Sequence, residues 1–367
     1  SAVVDSNNTS GLGKAGDPAM VMFFTGARAW GQGLAWTTDG SAFNKYDRTV
    51  VNRINKENRD PKVFWHEPSK HWIMVLWVEG QNGLNTMQFL KSTDLKNWAK
   101  TSVVKGGISN DRYLFECPDF YELPVDGNPN NKKWILSAAN CMYAIGNFDG
   151  ITFTPEAERL QSMVGRDYYA AQTINNEPSG RRIEIGWWRT HTDTSGMAFN
   201  QSMSVPMEMK LITTPQGLRV VRIPVKELES LRQQKIRTGA ISMSEKSGNP
   251  LKAIHSDLVE LRAQLRPGEA KTVVFSLNGL EVVYDVAAEE MSADGIKTKL
   301  PLQKGQLQLT IFVDRTGAEI FANNGLFFMP VNKNLSGKDI GISATGGKVS
   351  FSQLDVYTLT SAWKSPI

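Results

Sequence analysis

Three acidic residues, Asp60, Glu116 and Asp167, stand at the head of similar stretches about 50 residues apart. Asp60 leads into Lys62-Val63-Phe64-Trp65 and then Trp72 to Trp77; Glu116 leads into Phe120-Tyr121-Glu122-Leu123 and then Trp134-Ile135-Leu136. Asp167 leads into Tyr168 to Ile174 and then Ile183 to Trp188. Carboxyl groups that a fold gathers at one concave place can exchange protons with a polar substrate or hold its hydroxyls, and glycoside hydrolysis is the leading case. Taken singly, each of these acids also reads as a turn or capping residue, so the chemistry depends on the scaffold that brings them together.

Two of the acids have contrasting neighbours. Phe115, Cys117 and Pro118 surround Glu116 with weakly polar groups, which disfavours an ionised carboxyl and suits a proton donor. Arg59 adjoins Asp60, which favours the carboxylate and suits a charged clamp on substrate. Other reactive types read as structural. His191, between Thr190 and Thr192, has no second ligand at metal spacing, and Cys117 and Cys141 lack the partners of a zinc site and read as buried thiols. Asn323-Asn324-Gly325 is hairpin-turn chemistry, and Asn8-Thr9-Ser10 weakly fits a glycosylation acceptor.

A scaffold is visible in a repeat. Asp39, Asp94 and Asp149 are spaced 55 residues apart, and each is followed four residues later by an aromatic: Phe43, Trp98 and Phe153. Each turn follows a strand-like run, out of phase with the acidic series, so that one unit is acid, strand, turn, strand, third strand, Asp turn. Units of this size built from short antiparallel strands suggest blades of a β-propeller, which bury their faces only against one another. Its innermost strands would carry Asp60, Glu116 and Asp167 to a common axis. Nine of the ten tryptophans precede residue 189, either as packing between blades or as a platform for sugar rings.

Beyond residue 220 the pattern changes. Pro224 to Leu231 has apolar residues at helical spacing behind a proline, predicting a linker helix within 223–235. Strict alternation follows, with Leu261, Ala263 and Leu265 against Glu260, Arg262 and Gln264, and Leu307, Leu309, Ile311 and Val313 against Gln306, Gln308 and Thr310. That is half-buried antiparallel sheet, most simply a β-sandwich over 236–367, after a propeller over 1–222. The 367 residues suit about two domains. Lys and Arg total 41 against 37 Asp and Glu, interspersed, which argues against a nucleic-acid partner, and no apolar run is long enough to span a bilayer.

The order of Ser1 to Asp5, Arg59-Asp60-Pro61-Lys62-Val63-Phe64, Glu116-Cys117-Pro118-Asp119, Tyr169-Ala170-Ala171-Gln172 and Val313-Asp314-Arg315 through Glu319-Ile320-Phe321 to Asn324-Gly325 resembles glycoside hydrolase family 32. Asn200 to Pro206 looks most like secreted bacterial levanase and inulinase relatives. The resemblance spans nearly the whole chain and implies an all-β architecture, a five-bladed propeller carrying a β-sandwich. It also implies retaining hydrolysis of β-fructofuranosides such as levan, inulin or sucrose, with no metal or cofactor, in a secreted or periplasmic protein. Carried over by position, Glu116 is the general acid/base and Asp60 the residue that binds fructosyl hydroxyls and stabilises the transition state. Arg59, Cys117, Tyr169 and Trp187 border the fructose pocket, with Ser1 at its edge.

Two departures matter. The family's nucleophile lies in a Trp-Met-Asn-Asp-Pro-Asn-Gly motif ahead of the segment matching Ser1 to Asp5, and these 367 residues contain no such motif. Three Asp turns plus the Trp187 unit count four blades, so the expectation is that the first blade is absent, leaving strand edges open to self-association or to a completing segment. Asp17-Pro18 only echoes the motif. Pro206-Met207-Glu208 stands where many relatives have Pro-Arg-Glu. A non-catalytic fructan-binding protein on the same fold is the alternative reading.

Overall fold

The computed structural model describes residues 1–14, 16–108, 110–190, 199–237 and 239–362. The chain forms two compact units. One comprises Ser1–Gln161, Tyr169–Arg182 and Leu211–Leu218; the other comprises Ser162–Tyr168, Ile183–Lys210 and Arg219–Ile367. Along the sequence the two units alternate between residues 161 and 219.

The first unit is propeller-like, with three four-stranded antiparallel meanders. Strands β1 (Ala2–Asp5), β2 (Ala19–Thr25), β3 (Gln32–Thr37) and β4 (Asn44–Lys45) make the first sheet. The second is β5 (Asn58–His66), β6 (His71–Glu79), β7 (Leu84–Ser92) and β8 (Ala99–Ile108), and a third meander, β9 (Asp119–Val125), β10 (Asn128–Ser137), β11 (Met142–Phe148) and β12 (Phe153–Gln161), is part of a larger, nine-stranded sheet. The repeat has a hydrogen-bond basis. After β3, β7 and β11 the Oδ1 of Asp39, Asp94 and Asp149 accepts the backbone N–H groups two and three residues on, the same Asx turn each time. The fourth repeat of the sequence, Tyr168–Thr173, Ile183–Trp188, Met207–Thr214 and Gly217–Pro224, is divided between the two units.

Burial explains the composition of these strands. β6 is an almost unbroken apolar run because its sheet is covered on both faces. Trp72, Met74, Leu76 and Val78 join Val21, Phe23 and Leu34 in one core, while Ile73, Val75 and Trp77 join Phe89 and Phe120 in another. The first sheet is covered on one face alone: its opposite face presents Val4, Met20 and Phe24 at 40, 40 and 37% exposure. Met22 and Ala35 share that face by register, so it is a continuous apolar surface rather than scattered residues.

The second unit contains the β-sandwich. Its seven-stranded sheet includes Val259–Arg266, Leu307–Asp314 and Val349–Leu359, and its five-stranded sheet includes Thr272–Leu277, Leu280–Asp285 and Ile340–Thr345. Leu261, Ala263, Leu265, Leu309 and Ile311 meet Val273, Phe275, Val282, Tyr284 and Ile342 in one core, as the alternation predicts. Glu260 departs from it. Assigned by parity to the wet face, it is fully buried, because Arg232 and Arg262 close over its carboxylate. Within the stretch expected as a linker helix, Lys226–Leu231 winds as a 3-10 turn and Arg232–Arg237 is already strand.

Candidate active site

The pocket is built in the first unit from backbone that ordinary strands do not adopt. The β5–β6 pairing shifts register between Arg59 and Lys62, and Asp60 within that bulge has φ 63°. In the connection ahead of β9, Glu116 and Cys117 have φ 56° and 40°. Holding a side-chain-bearing residue in the left-handed region costs about 1–3 kcal/mol each and persists only where surrounding contacts over-determine it. Pro61 and Pro118 follow Asp60 and Cys117 directly and stiffen both exits.

These bends turn the two acids toward each other's neighbours. The backbone N–H of Cys117 donates to Asp60 Oδ2 at 3.0 Å, and the Cys117 thiol lies 3.5 Å from the same oxygen. Arg59 donates to Glu116 and to Glu57, and its Nε is 3.9 Å from Asp60 Oδ2. Its guanidinium lies over Trp77 at 4.2 Å and near Trp30 at 5.2 Å, so aromatic faces fix the cation from below. The Tyr169 hydroxyl donates to the other Glu116 oxygen, and Gln172 Nε2 donates to the Cys117 carbonyl at 3.1 Å. Asp60 is anchored by its own N–H to Thr25 Oγ1 at 3.1 Å. With 18 and 32% of their side-chain surfaces exposed, Glu116 and Asp60 remain open to a ligand.

Arg59, Asp60, Glu116, Cys117 and Tyr169 therefore come together. Ser1 stands beside them: its nitrogen donates to the Phe23 and Pro61 carbonyls, and its hydroxyl accepts from Val63 N–H. Trp187 belongs to the other unit, where its indole nitrogen donates to Gln201. His191 lies outside the described residues. The contrast expected between the two acids is corrected by the bulge. Arg59 reaches Glu116, not Asp60, as a hydrogen-bond partner, so Glu116 sits between a guanidinium and a phenol instead of weakly polar groups.

Glu57, Trp30, Trp77 and Gln172 were given no site role from sequence, although Trp77 and Gln172 stand within quoted segments. Gln172 ends the quoted Tyr169-Ala170-Ala171-Gln172 motif and Glu57 stands two residues before Arg59, which was the available signal. The thiol of Cys117 is pushed well above its usual range by burial and by Asp60, so it stays protonated and is no nucleophile. Burial and the bond to Glu116 likewise raise Tyr169, leaving it a donor. Among the described residues no group of three or more His, Cys, Asp or Glu could hold a metal, and no helix is long and apolar enough to cross a membrane. Two partly exposed carboxyls, one cation and a phenolic donor brought together can hold sugar hydroxyls and exchange a proton.

Comparison with known proteins agrees in sequence and in fold. Residues 1–224 match the N-terminal domain of glycosyl hydrolases family 32 and residues 227–358 its C-terminal domain. The chain is 33% identical to a levanase of Bacillus subtilis, over 99% of this chain and 60% of that protein. It is 26% identical to an extracellular exo-inulinase of Aspergillus awamori, over 99 and 80%. It thus spans about 60% of the first of these relatives and 45% of a second levanase, from a Bacillus species. The crystal structure of the Aspergillus awamori exo-inulinase superposes with a TM-score of 0.83 at 23% identity, covering 99% of this chain and 84% of that one. Fructan 1-exohydrolase IIa from Cichorium intybus gives 0.77 at 16% identity, covering 94 and 82%. With both of its domain models matched over 1–224 and 227–358, the chain belongs to glycosyl hydrolases family 32.

Proposed function

We propose that the chain belongs to a secreted β-fructofuranosidase acting on levan, inulin or sucrose with retention. The carrying observation is that Arg59 and Cys117 link Glu116 and Asp60 into a single partly exposed cluster. In this reading Glu116 protonates the departing glycosidic oxygen and then accepts the proton of the incoming water. Asp60 receives fructosyl hydroxyls, while Arg59 and Tyr169 orient the Glu116 carboxyl until substrate displaces them.

Retention also needs a second carboxylate about 5–5.5 Å from the acid, on the far side of the anomeric carbon. Cys117 cannot replace it, and Asp60 is occupied as a hydroxyl clamp. We assign that carboxylate to a further sheet seated on the exposed face of the first one, the face of Val4, Met20 and Phe24. The names of the extracellular exo-inulinases and levanases it resembles support the substrate class and secretion.

The test is fructose release from levan, inulin and sucrose by the intact polypeptide and its Glu116→Gln variant. Release lost in the variant supports the reading. Fructan that retards both proteins in an affinity gel while neither releases fructose would select the binding protein instead.

A further inference from the structure

We propose that the buried pair Lys62 and Asp119 is a positioning device that ties the three pocket-forming segments together and so holds Asp60, Glu116 and Tyr169 in place. The Lys62 ammonium lies 2.7 Å from Asp119 Oδ1 and donates to the Thr173 carbonyl at 3.2 Å. The N–H of Thr173 donates to Asp119 Oδ2 at 2.6 Å, and that of Phe120 to Oδ1 at 2.9 Å. Both side chains are enclosed, 3 and 1% exposed. Each member stands just beyond a pocket residue: Lys62 two past Asp60, Asp119 two past Cys117 and three past Glu116, Thr173 four past Tyr169.

The pocket needs such a tie. Asp60, Glu116 and Cys117 occupy a backbone region that only enclosing contacts can maintain. A buried ion pair adds little stability over well-packed apolar residues of similar volume, whereas its charge-assisted hydrogen bonds fix direction. Tyr169 and Glu116 meet only if Thr173 and Asp119 keep their register. As a statement about turnover the proposal rests on the fructosidase reading; as a statement about geometry it does not.

The test compares the intact protein with Asp119→Asn and with the double change Lys62→Met, Asp119→Leu. Three quantities are read: melting temperature, the rate at which an aromatic disulfide reagent labels Cys117, and kcat and KM on levan. Cys141, buried, reports global opening. The double variant is expected to melt near wild type yet label Cys117 at least about tenfold faster, while kcat falls about a hundredfold and KM moves far less. Wild-type labelling and kcat in either folded variant would overturn the proposal. Should the double variant not fold, Asp119→Asn decides by the same labelling criterion. A wild type that releases no fructose from levan, inulin or sucrose would sink the fructosidase reading, and Cys117 labelling would still decide the tie.

Discussion

In the sandwich, side-chain-bearing residues with left-handed backbone fall mostly in glycine-containing turns, Glu289 at φ 46° being an exception. Asn278-Gly279 and Asp294-Gly295 close two-residue hairpins, with φ 53° at Asn278 and 46° at Asp294, and Asn323-Asn324-Gly325 lies in a four-residue hairpin loop. In the first unit, Asp60, Glu116 and Cys117 take the same region without a glycine beside them, held by hydrogen bonds from residues distant in sequence. The first kind of bend is turn chemistry and serves the fold. The second is strain kept for a pocket, and its cost is met by contacts that sequence proximity does not announce.

That contrast orders the expected effects of mutation. Glu116→Gln should lower fructan hydrolysis by the intact polypeptide about a thousandfold, as loss of a general acid does, with the melting temperature unchanged. Unaltered hydrolysis would remove the pocket's claim to chemistry. In the second unit the largest effect should fall on stability. Arg222, which pairs with Glu184 at 2.7 Å where both are under 5% exposed, leaves an uncompensated buried charge when changed to Met. Urea unfolding should show a loss of about 3–5 kcal/mol.

Glu319 sharpens the comparison further, being a buried acid outside the pocket. Burial raises its carboxyl to about 8, against the bond from Val205 N–H. Its folded value lies above its unfolded one, so the stability it contributes is full below the unfolded value near 4.5 and is lost as pH rises through about 8. Glu319→Gln should remove that alkaline loss, a difference of order 4 kcal/mol between pH 5 and pH 9 in unfolding free energy. Equal pH dependence in the two proteins would contradict it. The smallest effect belongs to Tyr284→Phe, which deletes one buried hydrogen bond to the Leu300 carbonyl and should cost about 1 kcal/mol in the same unfolding assay.

Much of the scaffold was legible because it is periodic. The Asp turns repeat their hydrogen bonds at 55-residue intervals, and the alternation of Leu261, Ala263 and Leu265 gives the sandwich face directly. Of the pocket, the motif residues were legible but their pairing was not. Adjacency placed Arg59 with Asp60, which it does approach at 3.9 Å, but did not reveal that its guanidinium hydrogen-bonds Glu116 and Glu57. Glu260 was misplaced for a related reason, since parity does not reveal that two arginines will cover a carboxylate. Nor did the RDPK and ECPD motifs reveal that their last residues face each other in the interior.

The most direct test of the central claim is the crystal structure of the Glu116→Gln protein with a levan-derived oligosaccharide. The account predicts a terminal fructosyl ring between Asp60 and position 116, its hydroxyls within hydrogen-bond reach of the Asp60 carboxylate and its glycosidic oxygen facing the new amide. A sugar bound elsewhere, with Asp60 still bonded only to Cys117, would contradict it.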